Sequence, residues 1–496
     1  MSELPRGWVN TELDNLFSFV IGGDWGKDPG FSDTDFDDAL CIRGSEFKKW
    51  HRDKGSTASF RKVKQASLEK RKLELGDILI EISGGGPDQP VGRTVLIDDL
   101  ALSHNPGVPK VCTNFLRLAR PSKKIDSRYL NYYLHSFYLS GEVVKYQGGS
   151  NNLRNLKFKE YSKINIPLAP LNEQIRIANN LDSILAKVDK AQTRLEKIPL
   201  ILKRFRQSVL AAATSGELTK EWRNENFYST SEMLKELVKP KKPARYKSRN
   251  IGFIEGVVAT AVGKPNSKLV DSWEWVPLVD IAVMGTGHTP SRSKSEYWGG
   301  EVNWIGIKDA RNNHTGTILE TEQKTNELGL ENSAARILPK DTVCISRTAS
   351  VGYVVKMGVP MATSQDFVTW TPTDVLDPDW LKWLFVSEKE SLFRFGKGTT
   401  HTTVYFPEWL SMHVALPPIE EQKEIVRQVE SLFSLADDVA KKYHDSKQRT
   451  DRLTQSILAK AFRGELLPQD PSDEPAEVLL ESIKSVVSKP KAKSKR

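Results

Sequence analysis

Side chains suited to phosphates and base edges crowd one stretch of this sequence. Between Arg43 and Lys64 lie eight Lys or Arg residues against two acids, Glu46 and Asp53, with Trp50, His51 and Phe60 among them. Guanidinium and ammonium groups neutralise phosphates, and polar side chains on loops read bases. The candidate phosphate and base contacts here are Arg43, Lys48, Lys49, Arg52, Lys54, Arg61 and Lys62, with Asn151, Asn152 and Arg154 on a later glycine-bearing loop. A second set lies in the other half of the chain: Ser291, Arg292, Lys294, Lys308, Arg311, Lys397, Thr400 and His401. Any single one of them also fits a solvated surface. The nearby cluster Tyr297, Trp298 and Trp304 reads as core rather than as a stacking platform.

Bond-making chemistry is poorly represented. There is no GxxxxGK[ST] phosphate loop and no FxGxG or [DN]PP[YF] run, which argues against an ATPase of that kind and a self-sufficient adenine methyltransferase. The eight histidines show no zinc-ligand spacing. Asp309 followed by Glu322-Gln323-Lys324 fits the loose D…ExK template of metal-dependent nucleases, a template that chance supplies often. Gly22-Gly23 and Gly84-Gly85-Gly86 read as turns rather than phosphate cradles. The expectation is no catalytic residue, no metal and no cofactor held by this chain.

With 496 residues the chain is long for one core, so two or more domains are expected. A net charge of +9 favours a polyanionic partner. No run of 18 apolar residues suggests a membrane span, and Met1-Ser2-Glu3-Leu4-Pro5 lacks the pattern of a signal peptide. Three scattered cysteines, Cys41, Cys112 and Cys344, suit a reducing compartment, so a cytoplasmic location is expected. The basic runs Lys239 to Arg249 and Lys484 to Arg496 read as flexible linker and tail.

These residues must be held by something, and the sequence supplies a duplicated frame. Leu168-Ala169-Pro170-Leu171-Asn172-Glu173-Gln174 returns 248 positions later as Leu416-Pro417-Pro418-Ile419-Glu420-Glu421-Gln422. At the same displacement, Ser208 to Leu218 returns as Ser456 to Leu466. Loops tolerate insertions, whereas one extra residue in a helix rotates everything beyond it by about 100°. The equal spacing therefore predicts two long helices of about 60 Å, at roughly 1.5 Å per residue. A 3.5-residue stripe agrees, running through Ile177, Leu181, Ile184, Val188, Leu195, Leu202, Phe205 and Val209. Its copy, Ile425, Val429, Leu432, Val439, Leu453 and Ile457, is interrupted by Ser446, Thr450 and Lys460. The two stripes predict helices packed on each other as an antiparallel coiled coil, with Pro199 kinking the first.

Upstream the repeat loosens. Trp8 to Leu16 resembles Trp273 to Ile281, Asn114-Phe115 resembles Asp366-Phe367, and Asp126 and Asp377 each open a helix. Gln147 to Asn152 resembles Gly396 to His401, and Ser231-Glu232-Met233-Leu234 resembles Ala476-Glu477-Val478-Leu479. The expected fold is mixed α/β with a pseudo-two-fold internal repeat. Its expected parts are residues 1–167 and 271–415 as globular modules, 168–220 and 416–468 as the long helices, 221–270 as linker and 469–496 as basic tail.

In ordered combination these motifs resemble the specificity subunits of Type I restriction–modification enzymes. The resemblance rests on Leu4-Pro5-Arg6-Gly7-Trp8 with its echo at Trp273, on Gly287-His288-Thr289-Pro290-Ser291 with Tyr297-Trp298-Gly299-Gly300, and on the helix beginnings and endings quoted above. It implies two target recognition domains, each reading one half of a split, asymmetric sequence in double-stranded DNA. It also implies two modification (methyltransferase) subunits carrying S-adenosylmethionine and, in systems that also cut, two restriction (translocase) subunits using ATP and Mg. The alternatives are a metal-dependent nuclease at Asp309 and Glu322, or a coiled-coil scaffold that binds no DNA.

Overall fold

The computed structural model describes residues 4–86, 89–149, 153–243, 247, 259–263, 265, 268–348, 350–389 and 403–487. The chain divides into two units, residues 1–196 with 444–496, and residues 197–443.

In the first unit Val9–Glu12 pairs antiparallel with Asn165–Leu168, so the two ends of the module meet. A four-stranded antiparallel sheet follows in the order Phe17–Gly22, Leu116–Pro121, Ile78–Glu81, Thr94–Leu96. Ile78–Glu81 is buried at every residue, as a central strand with both faces covered must be. A second sheet sets Phe36–Ile42 between antiparallel Ser59–Lys64 and parallel Lys110–Cys112. The helix Ser127–Leu139 starts at Asp126, whose carboxylate accepts from the Arg128 and Tyr129 N–H groups. Such a cap stabilises by about 1 kcal/mol.

The second unit repeats this path. Glu274–Pro277 pairs with Met412–Leu416, and Ala282–Thr286, Phe367–Pro372, Val343–Ser346 and Val354–Met357 form the matching sheet, with Thr317–Ile318 added at its edge. Trp298–Ile305 lies between Lys324–Thr325 and Ala362–Thr363, again one antiparallel and one parallel neighbour. Asp377 caps Pro378–Ser387 through the Asp379 and Trp380 N–H groups.

The sequence expectation of long helices holds with one interruption. Leu171–Leu195 ends at Glu196, and Ile198–Ser215 begins with Pro199 in its first turn, where the missing N–H costs nothing. The second helix, Ile419–Ala461, runs unbroken for 43 residues. Pairing within each unit is antiparallel. In the first, Gln192 donates to Asp451 at 3.4 Å, while Ile177 and Leu181 share a cluster with Leu458 and Ala461. In the second, Arg206 bonds Asp437 at 2.6 Å, while Val209, Leu210 and Ala213 share a core with Ile425 and Val429.

The stripe departs from its expected register in the second helix. Val439 and Leu453 are 37% and 48% exposed, whereas Leu458 and Ala461 are buried. A helix turns every 3.6 residues, so a stripe drawn at 3.5 lags by about 20° per heptad. By the last turns the buried face has moved one residue on. In the first helix Ile177, Leu181, Val188 and Val209 are buried and Ile184, Leu195, Leu202 and Phe205 half-buried.

The repeated helix opening, Pro170 to Gln174 and Pro418 to Gln422, joins each module to its helix. Trp8 Nε1 donates to Glu173 Oε2 and Trp273 Nε1 to Glu421 Oε2, both at 2.9 Å. Gln174 Oε1 accepts from the Asp126 N–H at 3.1 Å, and Gln422 Oε1 from the Asp377 N–H at 2.8 Å. Each amide nitrogen turns back to a carbonyl at the helix start, Ala169 and Pro417. Burial pushes the Glu173 carboxyl up, against the pull of the Trp8 N–H towards the ionised form.

Two segments read as linker and tail are partly folded. Ala476–Val487 is a helix whose Ala476, Leu479, Leu480 and Ile483 enter the first module's core. Thr230–Leu234 is its short counterpart, with Thr230 buried and Met233, Leu234 and Leu237 packed on the second module's core. The Ala476 N–H bonds the carbonyl before Trp8, and the Thr230 N–H the carbonyl before Trp273. The true register is thus Thr230 with Ala476, one residue from the sequence match at Ser231. Lys239 and Lys242, in the basic run, both bond Asp280 at 2.8 Å. Burial alone would raise the Asp280 carboxyl, but these two ammonium groups hold it below the usual range.

Cys41, Cys112 and Cys344 are buried free thiols. Burial pushes all three up, Cys112 to about 12. The native chain is therefore expected to take up no thiol reagent at pH 8, and three equivalents after denaturation, as counted by mass spectrometry.

Candidate nucleic-acid interface

A tight crossing sets the same frame in both modules. A Cβ on Gly23 would lie 2.1 Å from the Thr113 carbonyl oxygen, and one on Gly287 would lie 2.0 Å from that of Thr363. Only glycine lets these backbones touch. The next residue makes the same bond in each: the Asp24 N–H to the Cys112 carbonyl at 2.8 Å, and the His288 N–H to the Thr363 carbonyl at 2.9 Å.

Past this crossing the strands fix a residue-by-residue correspondence. Ile42 pairs with Cys112, and Ile305 with Thr363. Leu116 faces Glu81, and Phe367 faces Ser346. Asn114 therefore corresponds to Gln365 and Phe115 to Asp366, one residue from the match read in the sequence. Modules of unequal loop length misalign easily at short motifs.

The same correspondence equates Glu46 with Asp309. Each is the third residue of a short helical turn and accepts from the N–H that opens it, Arg43 or Gly306. The other Asp309 oxygen accepts from the Glu322 N–H at 2.9 Å, and Glu322 pairs with Lys308 at 2.6 Å. This carboxylate is committed to capping, so the D…ExK spacing has a structural cause. Among the described residues no cluster of three or more His, Cys, Asp or Glu is arranged to hold a metal.

Most of the basic residues selected in the first module already have partners. Arg43 pairs with Glu46 at 2.9 Å, Arg52 with Asp53 at 2.6 Å, Lys54 with Asp98 at 2.5 Å and Lys62 with Asp38 at 3.0 Å. Arg61 bonds Asp28 at 2.6 Å and lies 4.2 Å from the centre of the Trp25 ring. Lys48 and Lys49 are exposed and make no ion pair among the described residues. Arg154 lines a cavity of about 270 Å³ with Gln147 and Gly149.

In the second module Ser291, Arg292 and Lys294 are exposed on the turn before Ser295–Tyr297. The Arg292 guanidinium lies 5.7 Å and 5.6 Å from the Trp298 and Trp304 rings. Trp304 is buried and its Nε1 donates to the His288 carbonyl, so the core reading holds for it, whereas Tyr297 and Trp298 are half-buried. Arg311 is exposed on Ile307–Asn312. Asn151, Asn152, Lys397, Thr400 and His401 lie outside the described residues.

The sequence reading missed a groove of about 710 Å³ in the first module. Trp25, Arg43, Lys48, Gln89, Asn114 and Phe115 line it. Phe115 is 52% exposed there, unusual for a large aromatic. No periodic signal marks such a bend; only the pairing of its flanking strands does.

The sequence profile of the Type I restriction modification DNA specificity domain matches residues 32–200 and 270–443. The chain belongs to this family. It is 28% identical over 505 residues to the Type I restriction enzyme EcoKI specificity subunit of Escherichia coli (strain K12), covering 97% of this chain and 96% of the relative. A chain solved in work on assembly and conformational transition of the type I R-M system superposes with a TM-score of 0.60 at 16% identity, covering 94% of this chain and all of that one. The crystal structure of the HsdS subunit from Thermoanaerobacter tengcongensis gives 0.55 at 16% identity, over 94% and 98%. The protein is thus a specificity subunit, the recognising and not the catalytic component of a restriction–modification enzyme. No helix among the described residues is long and apolar enough to cross a membrane.

Proposed function

We propose that this specificity subunit reads two different DNA half-sites, one with each module, and that the helices fix the number of unread base pairs between them. Two modification subunits carrying S-adenosylmethionine assemble on it in the cytoplasm, joined in cutting systems by two restriction subunits using ATP and Mg. One observation carries the reading. The main sheet and the crossing recur in the same strand order and the helix segments keep one spacing, while the second module adds edge strands at Thr260–Val262 and Thr317–Ile318 and the loops beside the crossing differ in length and chemistry. Fixed spacing with variable loops is what a two-part reader needs.

The basic face of the first module gives the test. Lys48→Glu, Lys49→Glu and Arg52→Glu together are expected to weaken DNA binding by the assembled complex on the order of a hundredfold, and to flatten its salt dependence by up to about three log units per log unit. Assembly with the modification subunits, followed by size-exclusion chromatography, should be unchanged. Undiminished affinity in an intact complex would make the chain a scaffold that leaves DNA to its partners.

A further inference from the structure

The two modules carry the same kind of side chain at one corresponding, exposed position. Asn114 and Gln365 sit at the bend that leads into the second strand of each main sheet, two residues before Leu116 and Phe367. Both are carboxamides, and both are exposed. Gln365 accepts a bond from the Thr289 hydroxyl at 2.5 Å, which orients its amide. Their neighbours diverge: Phe115 is exposed and apolar, whereas Asp366 is half-buried and accepts from the Ser364 hydroxyl at 3.0 Å.

Each module carries a cation at one further corresponding position. Lys48 lines the groove that also holds Asn114 and Phe115. Counting from Ile42 and Ile305, its counterpart is Arg311, also exposed. Each cation follows the same capping carboxylate by two residues, Glu46 or Asp309. A duplicated frame thus presents a cation, a carboxamide and one variable neighbour.

We infer that Asn114 and Gln365 are base-reading residues, one per half-site, each meeting an adenine edge, and that Phe115 and Asp366 make the two readings differ. This rests on the two-half-site reading above. A carboxamide offers one donor and one acceptor side by side, which matches adenine N7 and N6 in the major groove. A phenyl ring beside it suits a thymine methyl, and a carboxylate suits the amino group of cytosine. Lys48 and Arg311 would hold phosphates and set register without reading sequence.

The test uses the complex of full-length subunit with its modification subunits, methylating random-sequence DNA whose modified adenines are then mapped. The wild-type complex should return a bipartite motif. N114A should relax one A·T position in one half, by about ten- to a hundredfold in discrimination, and leave the other half intact. Q365A should do the converse. N114S and Q365S replace any alanine variant that does not assemble. Motifs unchanged in both halves, or relaxation confined to G·C positions, would overturn the assignment. A wild-type motif without two halves would instead overturn the two-half-site reading, so the two failures are distinct.

Discussion

Glu421→Ala is expected to destabilise the second unit by about 3–5 kcal/mol, the cost typical of stranding one partner of a buried ion pair. Glu421 is 1% exposed and accepts from Trp273 Nε1 at 2.9 Å, Thr219 Oγ1 at 2.7 Å and Arg223 Nη1 at 2.5 Å. Without it a buried indole N–H, a buried hydroxyl and a guanidinium only 16% exposed lose their common acceptor. At Glu173 the same change is expected to cost less, about 1–3 kcal/mol. There Trp8 is the partner lost, because Arg176 is bonded instead to Asp473 at 2.6 Å. Native-state hydrogen exchange separates the two units where a single melting transition would not. Glu421→Ala should speed exchange in Ile419 to Tyr443 and the strands around Trp273, and leave residues 4–196 unchanged. Equal protection in both variants would mean that neither carboxylate fastens its module.

That carboxylate also shows what was readable in advance. Glu173 and Glu421 stand out because the helix between the flanking motifs admits no insertion, so the 248-residue displacement survives in sequence. Trp8 and Trp273 were visible as a repeated residue type, but their hydrogen bonds cross more than a hundred residues and leave no periodic trace. The modules obeyed a looser rule. Their loops differ in length, so Asn114 was matched one residue away from Gln365, and only strand pairing restores the register. Charge was the least legible quantity. Arg61, Lys54 and Lys62 read as phosphate contacts, and no sequence pattern announces that the fold also sets Asp28, Asp98 and Asp38 against them. The helix Ala476–Val487 was hidden by the Lys- and Pro-rich residues that follow it, although its i, i+3, i+4, i+7 apolar positions are regular.

Lengthening both paired helices together should lengthen the unread spacer. Four helix-forming residues inserted after Gln192, and four before Asp451, fall where these side chains bond within the first unit. Four residues add about 6 Å, close to two base-pair steps at about 3.4 Å each. They turn the helix roughly 40° past a full revolution, while two base pairs turn the duplex by about 70° at 10–10.5 pairs per turn. The mismatch of about 30° is small enough for the complex to absorb, so the mapped motif should keep both halves with about two more unread positions. Inserting four residues in one helix alone is a different experiment. It slides Ile177 and Leu181 along Leu458 and Ala461, which form one buried cluster, and breaks their packing. That variant should lose methylation rather than change spacing, because one displaced seam costs several buried side chains at about 2–5 kcal/mol each. An unchanged spacer in the double insertion, with both halves still read, would show that the distance is set by the partner subunits and not by these helices.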